Sequence, residues 1–290
     1  MARYDTAVGK YVYVTVDGLE HRVYFEESGS GTPLLLQHTA GSDAREWRHL
    51  LENPAITDNY RVIAYDLPYH GKSLPPLEKK YWKEEYRLER DFFMKFILAL
   101  KNELELDQPV FMGCSMGGQI CVDLSIFHAE EFKALIAVEA SVKSPGFYLD
   151  MYYHPRISNE AKPATMYGLC SPTSPEKYVR ETVWTYSQGA PVVFKGDLYY
   201  YSDEYDVTDT VDRIDTSKTP LYMLTGEYDW ATSPAMTAEL LAKVPGAKYT
   251  EMKDIGHFGM MENPEVFMGY VVPVLNEIAG VNEPLREVGE

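Results

Sequence analysis

Basic residues are in short supply in this 290-residue chain: 27 Lys and Arg face 44 Asp and Glu, giving a formal charge of −17 at pH 7. A nucleic-acid binder must neutralise phosphates with clustered Lys and Arg, and no such cluster occurs, so that class of partner is excluded. Solubility is the plain consequence of the acidity. Cysteine is scarce as well. Cys114, Cys121 and Cys170 cannot all pair with one another and show no C-x-x-C spacing, which argues against a disulfide framework and a thiolate metal site and fits a reducing compartment. No uncharged apolar run approaches the roughly 18 residues of a membrane helix, and the opening "MARYDTAVGKYVYV" has no apolar stretch of signal-peptide length. The expectation is a soluble, cytoplasmic protein with no membrane partner. Internal repeats and low-complexity tracts are also missing.

What is present is an ordinary globular composition, 45% hydrophobic and 24% charged, in a chain long enough to bury a large core. "YVYVTV" and "HRVYFEESGSG" alternate β-branched and aromatic residues around the turn signal Asp17-Gly18, which predicts a hairpin. Beyond it the pattern changes to short continuous apolar runs, "LLLQ", "RVIAYD", "PVFMGC", "ALIAVEA" and "LYMLTG", as strands buried on both faces of a parallel sheet read. A last strand is expected at "KYTEM". Helices are expected at "YRLERDFFMKFILALKNELEL", with Phe92, Phe96, Leu98, Leu100 and Leu104 on its apolar face, and at "GGQICVDLSIFHAEEF", "SPAMTAELLAKV" and "ENPEVFMGYVVPVLNEIAG".

Strands alternating with helices predict an α/β fold: a mostly parallel sheet flanked by helices, an antiparallel edge from the leading hairpin, and functional loops at the carboxyl ends of the strands. Residues 142–218 break the alternation, being rich in Pro, Tyr and Met without a convincing strand. They read as an inserted, largely helical cap on a core formed by 1–141 and 219–290. The closing "NEPLREVGE" reads as a frayed tail.

Ser115 stands in "GCSMGG", between a strand-like and a helix-like run. A G-x-S-x-G match arises by chance in roughly one in ten chains of this length, so the pattern alone is weak. Its position on a sharp strand-to-helix turn is more telling, because small residues at 113 and 117 let the backbone bend while the hydroxyl projects outward. The blander alternative is a βα turn with Ser115 as helix N-cap.

A serine hydroxyl attacks only when a base takes its proton and an acid orients that base. His257, in the loop "MKDIGHFGMMENP" after the last strand, lies on the same rim of the sheet as Ser115. The other histidines have plainer settings: His21 in a leading strand, His49 and His128 in helices, His154 in the cap and His70 in the turn "DLPYHGKS". For the acid, "LYMLTGEYDWATSP" offers Glu227 and Asp229 just past a strand.

The elbow "GCSMGG", the "HTAG" loop with Trp47 downstream, the turn "DLPYHGKS", and "TGEYDW" followed by "GHFGMMENP" occur in the order expected of the α/β-hydrolases. Over about residues 20–280 the chain resembles the single-cap members of that superfamily: esterases, lactonases and meta-cleavage-product carbon–carbon hydrolases. The resemblance implies a triad of Ser115, Asp229 and His257, with Asp229 favoured because the family's acid usually stands three residues after the glycine ending strand seven, here Gly226. Glu139, after strand six, is the remaining alternative acid. It also implies an oxyanion hole from the N–H groups of Met116 and Ala40, with Thr39 as second choice. Two positions depart from the family pattern: Thr39 follows His38 where glycine is usual, and Tyr69 replaces the glycine before His70-Gly71. A serine at 115 excludes the dehalogenase and epoxide-hydrolase branch, which uses aspartate. Cys114 reads as a small buried residue behind the elbow rather than a nucleophile.

Ten of the 23 tyrosines fall between Tyr148 and Tyr205, favouring an organic substrate of modest size over a long lipid. Candidate substrate contacts are His38, Tyr152, Tyr153, His154, Arg156, Trp184 and Trp230, with Arg156 offered as partner for a substrate carboxylate. The expected activity is hydrolysis of a small ester or lactone through an acyl-enzyme on Ser115, by a monomer or homodimer needing no cofactor and no metal. Hydrolysis of a carbon–carbon bond is the alternative reaction, and a slow-turnover ligand receptor of this fold the alternative class.

Overall fold

The computed structural model describes residues 4–281. The stretch "NEPLREVGE" read above as a frayed tail lies outside the described residues.

Eight strands form one sheet: β1 (Val8–Val16), β2 (Leu19–Gly29), β3 (Thr32–Gln37), β4 (Tyr60–Tyr65), β5 (Val110–Cys114), β6 (Ala134–Val138), β7 (Leu221–Gly226) and β8 (Lys248–Met252). Their order is β1-β2-β4-β3-β5-β6-β7-β8. The hairpin closes with Val16 opposite Leu19, and both turn residues, Asp17 and Gly18, take positive φ (49° and 77°), as a two-residue hairpin turn of this hand requires. β2 pairs antiparallel with β4, and from there to β8 every pairing is parallel. β5 and β6 are buried at every residue, which is why they read as unbroken apolar runs.

Helices Arg90–Glu103, Met116–Phe127, Pro234–Leu241 and Pro264–Ala279 flank the sheet. The first is shorter than the sequence pattern predicts and is rotated. Phe93, Phe96, Ile97 and Leu100, spaced i, i+3, i+4, i+7, are its buried face, while Phe92, Leu98 and Leu104 are half-buried. Residues 86–89 do not join it because the Leu88 N–H is spent on the carbonyl of Gly196, far along the chain, at 3.0 Å.

Between β6 and β7 the chain forms helices Ser158–Leu169, Glu176–Gln188 and Pro191–Leu198 and a π-helical turn at Tyr199–Glu204. Its extended pairing among the described residues is limited to an isolated bridge between Lys143 and Asp206. No helix among the described residues is long and apolar enough to cross a membrane.

Candidate active site

Ser115 occupies the turn between β5 and helix Met116–Phe127 with φ 58° and ψ −115°, a conformation costly for a side-chain-bearing residue and commonly found at functional sites. Its N–H donates to the Val138 carbonyl at 2.9 Å, pinning the turn to β6. The bend works only with glycine nearby: a Cβ on Gly113 would meet the Gly117 carbonyl oxygen at 2.4 Å. Although Ser115 stands at the N-cap position, its side chain makes no capping hydrogen bond, leaving the hydroxyl for other work.

His257 and Asp229 approach from the loops after β8 and β7. The His257 Nδ1 to Asp229 Oδ2 distance is 2.6 Å, and both residues are buried. Oδ1 of Asp229 accepts the N–H groups of Ala231 and Thr232 at 2.8 and 3.1 Å, so the loop's own backbone holds the carboxylate in place. Burial alone would raise this carboxyl, but the charge and hydrogen bond of His257, with help from Glu139 and the Thr232 N–H, hold it below the ordinary aspartate value. Glu227 instead faces solvent beside Lys253, at 3.4 Å.

Glu139 takes a role the sequence left open. It follows β6 with φ 54°, is fully buried, and accepts the Gly226 N–H at 2.8 Å. Burial, reinforced by the adjacent Asp229 charge, pushes its carboxyl far above the usual range, and its Oε2 has no hydrogen-bond partner among the described residues.

Ser115, His257, Thr39 and Ala40 line one small cavity of about 30 Å³, walled by Phe147, Met166, Leu169, Phe194, Leu198 and Phe258. Tyr152, Tyr186 and Tyr201 line it as well. Tyr201 was not singled out by the sequence, since nothing distinguishes it among ten tyrosines. It projects from the π-helical turn, its hydroxyl 3.2 Å from Thr232 Oγ1 and within reach of Ser115 and Ser144, and burial pushes it up to about 12. A larger cavity, about 430 Å³, is lined by Gly41, Arg45, Asp66, His70 and Lys72 and does not include Ser115.

Of the two second-hole donors considered, Thr39 is committed elsewhere: its N–H bonds both oxygens of buried Glu46 at 3.2 Å. The N–H groups of Ala40 and Met116 have no partner among the described residues, as oxyanion donors require. His38, expected as a substrate contact, does not line the Ser115 cavity. Its Nε2 accepts the Leu67 N–H at 3.2 Å and its Nδ1 donates to the Thr39 carbonyl at 2.7 Å. Burial and the neighbouring His70 charge lower its pKa to about 4, consistent with that neutral tautomer.

Among the remaining candidates Tyr152 lines the cavity, while Tyr153, His154, Arg156, Trp184 and Trp230 are exposed and lie outside it. Arg156 and His154 sit on an irregular turn where the Arg156 N–H donates to His154 Nδ1 at 3.2 Å. Trp230 points away, its Nε1 donating to the Gly168 carbonyl at 2.9 Å. Cys114 is buried behind the elbow with its thiol toward the His257 carbonyl, and burial pushes the thiol far up, as expected of an inert packing residue. All three cysteines are free.

A family described as "alpha/beta hydrolase fold" matches residues 32–264. The dihydrolipoyllysine-residue acetyltransferase component of the acetoin cleaving system of Pseudomonas putida is 36% identical over 103 residues, 35% of this chain and 25% of that protein. The chain thus aligns with about a quarter of that relative's length. A 2-hydroxy-6-oxononadienedioate/2-hydroxy-6-oxononatrienedioate hydrolase of Burkholderia vietnamiensis is 22% identical, over 93% of this chain and 96% of that one. Among solved structures, a thermophilic esterase from Thermogutta terrifontis superposes with a TM-score of 0.80 at 19% identity, covering 93% of this chain and 99% of that one.

Proposed function

This chain belongs to the alpha/beta hydrolase family, and from that premise we propose that it is a serine hydrolase of small, uncharged carboxylic esters or lactones. The observation that carries the reading is the buried Asp229–His257 pair, 2.6 Å apart, opening with Ser115 onto one apolar cavity. Asp229 holds the proton on Nδ1 and leaves Nε2 as the base. Ser115 Oγ attacks the carbonyl carbon as its proton passes to Nε2, and Asp229 stabilises the imidazolium so formed. Charge developing on the carbonyl oxygen is met by the N–H groups of Ala40 and Met116. The imidazolium protonates the leaving alcohol, and water, activated by the same histidine, releases the acid from the acyl-enzyme. Residues 142–218 act as a cap on the core, and the chemistry needs no metal or cofactor.

The end-to-end likeness to a dienedioate hydrolase favours a second reading, carbon–carbon bond hydrolysis. Against it stands the cavity lining, which carries no Lys or Arg to pair with a buried substrate carboxylate.

Steady-state hydrolysis of p-nitrophenyl acetate and butyrate, by the protein and by Ser115→Ala, tests the proposal. Rapid multiple turnover abolished by the substitution is the expected result and would also exclude a slow-turnover receptor. Turnover of a vinylogous diketone dienoate without turnover of either ester would replace it with the second reading.

A further inference from the structure

The oxyanion loop after β3 is held from both sides by the segment that covers it. On one side of Ala40, Thr39 Oγ1 meets the hydroxyl of Tyr186, from helix Glu176–Gln188. On the other, the Gly41 N–H donates to Oδ2 of Asp197, from helix Pro191–Leu198, at 2.7 Å. Gly41 has φ 65°, and a Cβ there would meet the Phe194 side chain at 2.6 Å. Gly189 closes from above, where a Cβ would meet the Gly41 carbonyl oxygen at 2.5 Å. Residue 41 is therefore fixed by the cap and residue 39 by the cap together with His38 and Glu46 of the core, and the peptide plane carrying the Ala40 N–H lies between them.

Asp197 is itself tightly fixed. It is fully buried and receives the Tyr86 hydroxyl at 3.0 Å and His70 Nε2 at 2.7 Å. His70 Nδ1 faces the Pro68 carbonyl at 3.0 Å. Burial alone would lower His70, but the neighbouring Asp197 charge and hydrogen bond, with the Pro68 carbonyl at the other ring nitrogen, raise its pKa. The contact spans two parts of the fold, with His70 on the turn after β4 and Asp197 on the cap.

We propose that Asp197 is a positioning residue for catalysis: by holding the Gly41 N–H it sets the Ala40 N–H in the oxyanion hole, so the hole is complete only while the cap is seated. The inference rests on the serine-hydrolase reading, and it assigns the loop's geometry to a cap residue that does not touch substrate. It accounts for threonine at position 39, where the family has glycine: the hydroxyl gives Tyr186 its anchor.

The test pairs kinetics with amide hydrogen exchange in Asp197→Ala and Asp197→Ser, neither of which can reach the Gly41 N–H, with Val192→Ala, an exposed change on the same helix, as control. Losing the hole lowers kcat by about 10²-fold with KM within about threefold, because the interaction is made only in the transition state. Exchange of the peptide covering residues 38–42 should accelerate in the same variants, while Val192→Ala, which touches neither Asp197 nor the Gly41 bond, keeps kcat within about threefold. Unchanged kcat, or unchanged exchange over 38–42, in whichever Asp197 variant folds would overturn the proposal. A rise in KM with kcat preserved would also overturn it, since that would mark cap packing alone. If the unmodified protein turns over no ester, the serine-hydrolase reading fails on that result, while the exchange arm still decides whether Asp197 holds the loop.

Discussion

Glu139 and Asp229 are two buried carboxyl groups side by side, and they are not equivalent: Glu139 is pushed far above the usual carboxylate range, while His257 holds Asp229 below it. Charging both would bury two like charges in one site, which favours a proton on the member that lacks a histidine. Glu139→Gln supplies an amide donor toward Asp229 and a carbonyl for the Gly226 N–H, and should keep kcat within about threefold. Glu139→Leu should lower it about tenfold. Equal kcat in the two variants would show that the donor does nothing for Asp229.

Burial raises the pKa of Glu46, which holds the Thr39 N–H in the loop after β3, to about 8. A group whose folded pKa is raised contributes stability that is complete below its unfolded value and is lost as pH rises through the folded one. The Glu46 contribution is therefore full below about pH 4.5 and falls away toward pH 8, with a slope of at most one proton, about 1.4 kcal/mol per pH unit. Urea midpoints measured from pH 4.5 to 8.5 should fall less steeply in Glu46→Gln than in the unmodified protein. Parallel curves would assign the slope to other groups.

A cavity of about 30 Å³ has room for little more than a water, so chain length should limit the acyl group. Met166, buried in its wall, is the residue whose truncation should relieve this. Met166→Ala should raise the hexanoate-to-acetate ratio of kcat/KM about tenfold, at a stability cost of about 2–5 kcal/mol. An unchanged ratio would place the acyl group elsewhere.

Arg156, exposed and outside the cavity, should be irrelevant to substrate charge. In Arg156→Ala the rate ratio between carboxylated and neutral esters should stay within about twofold of the original. A selective loss on the carboxylated ester would restore it as a contact.

The sheet was legible because burial on both faces leaves an unbroken apolar signature, as in β5 and β6, and because Asp17-Gly18 prescribes its own turn. The placement of Ser115, Asp229 and His257 near strand ends was legible from local motifs. Tyr201, Asp197 and the Glu139 proton were not, since each acquires its role from residues distant in sequence: Thr232, Gly41 and Asp229. Arg156 lies outside the cavity for the converse reason: its residue type suits a carboxylate, but the direction of a side chain on an irregular turn is set by tertiary packing. The register of helix Arg90–Glu103 was missed because apolar residues lie on more than one face, and only contact with the sheet selects Phe93 over Phe92.

The His257 N–H donates to the carbonyl of Leu169, the last residue of helix Ser158–Leu169, at 3.0 Å. In engineering terms the covering segment is not an exchangeable module. A graft from a relative has to bring a carbonyl for His257, a carboxylate for Gly41 and a hydroxyl for Thr39, or the chimera inherits a core whose chemistry has lost its scaffolding.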